Sequence, residues 1–151
     1  MKGISNSLKS NKLLKAGYIT MLKAKEKSEQ FISSIVFTIK SKNVVNVVQK
    51  TFEKSGYSFF FDMGTLLGMV RDGKLLKRDM DIDTGIYIDS KNGKKEFRDL
   101  LTNTGFKHKF IFYVDGIGDV LDTFYFKGIR IDVCYYEKER DRDCCYLFYG
   151  E

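Results

Sequence analysis

Apolar residues recur along this chain at two different periods, and the change comes near residue 57. In the first part Leu14, Tyr18, Met21 and Leu22 fall at helical spacing, with lysines filling the other faces. A second helix is predicted from Asn43, whose side chain suits an N-cap. Val44, Val47, Val48, Thr51 and Phe52 share one face of it, and Gly56 closes it. The β-branched segment 31–40 between them suits either a strand or a continuation of the first helix, and is read as helix.

Beyond Tyr57 the runs shorten and alternate. Residues 57–63 suit a buried strand, 64–70 a short apolar helix, and Arg71-Asp72-Gly73 its exit turn. A strand follows over 80–88, then a helix over 94–103 with Phe97, Leu100 and Leu101 inward, ended near Gly105. Three aromatic and β-branched runs, 106–114, 120–127 and 129–136, are separated by Gly116, Gly118 and Gly128 and predict antiparallel hairpins. Residues 144–149 add a candidate edge strand. The order predicts an α+β fold in which helices pack on a mixed β-sheet, preceded by N-terminal helices.

The alternating strand carries the chemistry. Asp79, Asp81 and Asp83 sit two residues apart, so on a strand their carboxylates emerge on one face. Like charges held that close repel unless a cation lies between them. A hard divalent ion, Mg²⁺ foremost and Mn²⁺ as its substitute, would satisfy them and keep positions open for substrate phosphates. The plain alternative is a solvated edge strand with an acidic polar face. Gly64-Thr65 opens the preceding helix. A glycine there admits close approach of a ligand, the end amides attract phosphate, and the Thr65 hydroxyl adds a donor; an ordinary helix cap would look the same. Asp132 alternates with apolar neighbours and shares a face with Arg130, which makes it either a third metal ligand or half of an ion pair. Arg71, Lys74, Lys77 and Arg78 supply positive charge nearby, with a solvated loop as the simpler reading. His108, the single histidine, has no acid or cysteine at ligand spacing and is expected on a strand surface. The pattern therefore points to metal-dependent phosphoryl-type transfer and gives no support to Ser/His/Asp nucleophilic catalysis.

Composition narrows the setting. The chain has 151 residues, 43% hydrophobic and 15% aromatic, which suits one domain with a real core. Its charge of +6 is lopsided: residues 1–30 hold seven lysines against Glu26 and Glu29. Residues 1–42 are accordingly read as a basic helical arm and 43–151 as the catalytic domain. The arm's stripe and lysines suit peripheral contact with an anionic membrane through residues 1–30, or packing on the domain. The longest apolar segment, 31–39, is interrupted by Ser33, Ser34 and Thr38 and is far short of the roughly 20 residues of a bilayer span. The N-terminus lacks the apolar centre and cleavage site of a signal peptide. Three cysteines without metal spacing, Cys134 and the adjacent Cys144 and Cys145, suit reduced thiols in the cytoplasm; membrane contact by the arm would place the protein at the inner face of the membrane.

The segment Gly-Thr-Leu-Leu-Gly-Met-Val-Arg at 64–71, with Asp79-Met80-Asp81-Ile82-Asp83 after it, closely resembles the LicD/fukutin family of phosphotransferases. Gly64, Thr65 and Arg71 match the first half of the family pattern, and Asp79, Asp81 and Asp83 the second. The resemblance covers about residues 57–136. It implies a nucleotidyltransferase-like sheet, with Asp81, Asp83 and Asp132 as catalytic and Mg²⁺-binding residues. Gly64, Thr65, Arg71 and Asp79 would be substrate-binding. It further implies transfer of phosphocholine or a polyol phosphate from a CDP-activated alcohol donor to a glycan acceptor, such as bacterial lipopolysaccharide or capsule; nucleic acid is not an expected partner. Lys77-Arg78 stand where family members commonly carry Pro-Trp, and Met80 where an acid is common. Family catalytic domains usually continue past the segment corresponding to 129–136, so a C-terminally short member is expected. Nucleotidyl transfer to a small molecule, protein or RNA, and a non-catalytic nucleotide-binding remnant, are the alternatives.

Overall fold

The computed structural model of the chain describes residues 12–76, 79–88, 91–139 and 142–145. The elements run α1 (Lys12–Ser55), β1 (Phe59–Phe61), α2 (Met63–Asp72), β2 (Asp81–Tyr87), α3 (Lys91–Asn103), β3 (Lys107–Val114), β4 (Gly118–Phe126), β5 (Ile129–Glu139) and β6 (Arg142–Cys145). The predicted α+β class and mixed sheet are what is found.

Helix α1 corrects the two-helix reading. Asn43 is not an N-cap; it lies inside one continuous helix of 44 residues, which passes the expected boundary at 42/43 without a break. In the β-branched stretch the hydroxyls bond back to the preceding turn, which satisfies them within the helix without stabilising it. Ser34 Oγ donates to the Phe31 carbonyl and Thr38 Oγ1 to the Ser34 carbonyl, both at 2.8 Å. Packing holds the helical form, since Phe37, Val44, Val48 and Phe52 are buried against the sheet and outweigh weak local propensity. Gly56 ends the helix at φ +79°, as its position suggests.

The strands lie in the order β1-β2-β5-β4-β3, with β6 pairing β5. The central pair β2–β5 is parallel, with Asp83 opposite Asp132, and the remaining pairs are antiparallel. A parallel pair needs a crossover, and α3 with the β3–β4 hairpin supplies it. Period 2 then sorts the residues. Ile82, Ile86, Phe124, Ile131, Val133 and Tyr135 turn to one face and form the core with α1 and α3, where Phe52 meets Phe97 edge-on at 5.1 Å. Asp81, Asp83, Arg130 and Asp132 turn to the other.

Smaller differences have local causes. Asp62 rather than Gly64 begins α2, because its carboxylate caps the helix by accepting the Met63 N–H at 2.8 Å. Leu100 sits at the rim of α3 and is exposed, while Phe97 and Leu101 are buried. The expected edge strand at 144–149 is described only through β6; Lys77, Arg78 and residues 146–149 lie outside the described residues.

Candidate metal and phosphate site

Three backbone devices set the acid face of the sheet. The parallel register places Asp83 beside Asp132, and period 2 adds Asp81 on the same side. The start of α2 is pinned to β2 twice: Asp62 N–H donates to the Asp83 carbonyl at 3.0 Å, and Asp83 N–H donates to Thr65 Oγ1 at 2.8 Å. Thr84 Oγ1 reaches the Asp132 carbonyl at 2.9 Å, fixing β2 against β5. One carboxylate oxygen from each of Asp81, Asp83 and Asp132 then lies within 4.8 Å of the others.

Charge at this point is unbalanced. Arg130 holds Asp132 through Nε at 3.0 Å and through a terminal nitrogen, and another terminal nitrogen lies 4.0 Å from Asp81. Thr123 Oγ1 donates to Asp132 at 2.7 Å. Asp83 has no ion pair among the described residues. Desolvation, reinforced by Asp81, Asp132 and Asp79, pushes its carboxyl up to about 7. Desolvation also raises Asp81, with Arg130 opposing it. A hard divalent cation fits this donor set: three oxygens from separate carboxylates converge, and the anionic form of Asp83 lacks a counter-charge.

The residues expected to bind substrate divide. Thr65 is buried, and its hydroxyl accepts the Asp83 amide, so its first task is to position an acid. The close approach that Gly64 allows is taken by Asp79: a Cβ at 64 would lie 2.4 Å from Asp79 Oδ2. That oxygen is buried without a hydrogen-bond partner among the described residues. Arg71 is not brought to the acids. It is six residues past Thr65, roughly 9 Å along the helix, and is held on exposed Asp72 by two hydrogen bonds of 2.8 and 2.9 Å. Its planar fork found the nearest carboxylate, its own chain neighbour.

Other residues were not singled out by the sequence. Asp62, besides capping α2, accepts the Tyr136 hydroxyl at 2.6 Å. Burial and that bond push the Tyr136 phenol up. Phe60 lies across Gly85 and packs on Tyr87 and Tyr136, forming an aromatic floor next to the acids. Glu26, Glu29, Gln30 and Ser33 of α1 face Asp79, Asp81, Tyr125 and Arg130 across a cleft of about 510 Å³. Their helical spacing was a readable signal; what they face was not. His108 is also corrected. It is not a plain surface residue, because its Nε2 lies 2.8 Å from Asp122, a fully buried acid also bonded by Arg98 and Tyr135. That network is on the core face, away from the acid group.

A family model described as LicD/FKTN/FKRP, nucleotidyltransferase domain, matches residues 56–147. The chain belongs to this family. It is also similar to the ribitol-5-phosphate transferase FKTN of Homo sapiens, 27% identical over 117 residues, a segment of 73% of this chain and 23% of that protein. The family match contains every residue of the acid group, and the family-level assignment is to phospho-alcohol transferases. The Glu26–Ser33 wall of the cleft, on helix α1, lies ahead of the segment that the family model matches.

Proposed function

We propose that the chain is a Mg²⁺-dependent transferase that moves a phospho-alcohol group from a CDP-activated donor to a hydroxyl of a cell-surface glycan. The observation that carries this reading is the convergence of Asp81, Asp83 and Asp132 from two parallel strands. These three would hold Mg²⁺, or Mn²⁺ in its place, which when bound neutralises charge on the donor diphosphate. The chain's own groups do the rest. A carboxylate oxygen of the acid group takes the proton of the attacking hydroxyl as that oxygen bonds to phosphorus. The bond from this phosphorus to the CMP oxygen breaks, and CMP leaves with its phosphate. Arg130 would offer the diphosphate its remaining terminal nitrogen beside the acids, the other two of its nitrogens being held by Asp132.

The cleft walls suit both classes of donor alcohol: Gln30, Ser33 and the carboxylates of Glu26 and Glu29 can bond the hydroxyls of a polyol, and the same carboxylates with Tyr125 would attract the cation of a choline. The reading places the protein in the cytoplasm, where CDP-alcohols and reduced thiols coexist.

Isothermal titration with CDP, CDP-ribitol and CDP-choline, each with and without Mg²⁺, tests it. Mg²⁺-dependent binding of CDP-ribitol or CDP-choline, with CMP release once a saccharide acceptor is added, is the expected result. Binding of every donor equally well in EDTA would overturn the proposal.

A further inference from the structure

Helix α1 carries a second apolar face that the domain leaves uncovered. Leu14, Tyr18, Met21, Ile32, Ile35 and Ile39 are between 43% and 73% exposed. At about 100° per residue they fall within roughly a third of the helix circumference, along about 38 Å of axis. The face buried in the core, Phe37, Val44, Val48 and Phe52, points about half a turn away. The stripe therefore does not pack on the catalytic domain, which removes the simpler of the two readings open to the sequence.

We infer that this stripe docks the protein on an anionic bilayer, with α1 lying in the plane of the surface. Charge identifies the occupant. Exposed Lys25 sits within the stripe, 3.9 Å from Glu29 at its border, and exposed Lys15, Lys40 and Lys42 flank it; residues 12–42 together hold seven lysines against Glu26 and Glu29. Lysines there extend toward phosphate headgroups while the isoleucines enter the acyl boundary. The same lysines oppose a second copy, since two stripes facing each other would bring like charges together. Helix Leu14–Ser55 is long and apolar enough to cross a membrane by length and composition. Its other face is committed to the sheet, so it rests on the surface. Of the cleft residues, Glu29 leaves the helix at the stripe's border and Glu26, Gln30 and Ser33 leave it roughly a third of a turn or more from the stripe's centre. A bilayer beneath the stripe thus runs alongside the cleft without covering it. The partner is a lipid surface, and the docking does not depend on the catalytic reading.

Sedimentation of the full chain with vesicles tests this, using phosphatidylcholine alone and an equal mixture with phosphatidylglycerol. Wild type should partition about tenfold or more in favour of the anionic vesicles, and salt should weaken binding. A variant with Ile32→Ser, Ile35→Ser and Ile39→Ser should lose that binding while keeping its far-ultraviolet circular dichroism. Lys25→Gln, which leaves the apolar surface intact, should weaken it about fivefold. Equal recovery on both lipids, or undiminished binding of the triple-serine variant, would overturn the inference. So would a concentration-dependent dimer in analytical ultracentrifugation that the same serines abolish, since a second copy would then be the occupant.

Discussion

Asp83→Asn should stabilise the metal-free protein, by an amount that grows as pH rises from 4 to 7 and is constant above that. The side chain is half-buried between Asp81 and Asp132, and burial with like charge raises its carboxyl from the ordinary value near 4 to about 7. A group raised in this way binds its proton more tightly in the folded chain. The contribution of this group to wild-type stability is therefore greatest below pH 4, falls as pH rises from 4 to 7, and is level above that. At full value the displacement corresponds to about 4 kcal/mol; solvent reaching a half-exposed carboxylate reduces it to about 1–2 kcal/mol. Asparagine keeps the shape and cannot ionise, so the variant should gain that amount at pH 8 and little at pH 5. Thermal melts in EDTA should show a rise of about 2–8 °C at pH 8. Mg²⁺ should reverse the order, because wild type alone then gains binding free energy, about 2.7 kcal/mol at a hundred times Kd. A variant less stable than wild type at pH 8 in EDTA, or equally stabilised by Mg²⁺, would refute the account of Asp83 as an uncompensated ligand.

Thr65→Val keeps the side-chain shape but leaves the Asp83 amide without its acceptor, and should cost about 1–3 kcal/mol in urea unfolding; Thr65→Ser should restore most of it. Gly85→Ala would set a methyl 2.3–2.9 Å from the Phe60 ring and should destabilise by about 1–3 kcal/mol; adding Phe60→Leu should recover part of the loss. Asp122→Asn removes the more buried of the two carboxylates that hold Arg98, the other being Asp119 at 2.8 Å, for a cost of about 1–3 kcal/mol in denaturant unfolding. That cost should be the same with and without Mg²⁺, which separates this network from the acid group.

The acids were legible because strand period is rigid: once 80–88 reads as a strand, Asp81 and Asp83 must share a face. Their meeting with Asp132 follows from a parallel register between strands nearly fifty residues apart, which no local pattern encodes and which the family resemblance supplied. The roles of Gly64, Thr65 and Arg71 were the least legible. Each is a residue type with several uses, and which use applies depends on the nearest partner in space: Asp79, the Asp83 amide and Asp72. The break assumed at Asn43 arose because Asn suits a cap by itself, whereas burial of Phe37 on one side of it and Val44 on the other carries the helix straight through.

The two bonds that join Asp62 and Thr65 to Asp83 close residues 62–83 into a ring, with the helix start and the acid strand meeting at its clasp. The far side of that ring is packed as well: the Lys74 amide donates to the Gly68 carbonyl at 3.3 Å, Leu75 lies against the core, and the Asp79 amide donates to the Leu76 carbonyl at 3.2 Å. A change of length there is consequently passed on to Asp79 and the acid strand. A substitution at residue 65 that removes the hydroxyl would open one of the clasp's two bonds and leave the backbone bond from Asp62 to Asp83 alone to join the helix start to the acid strand.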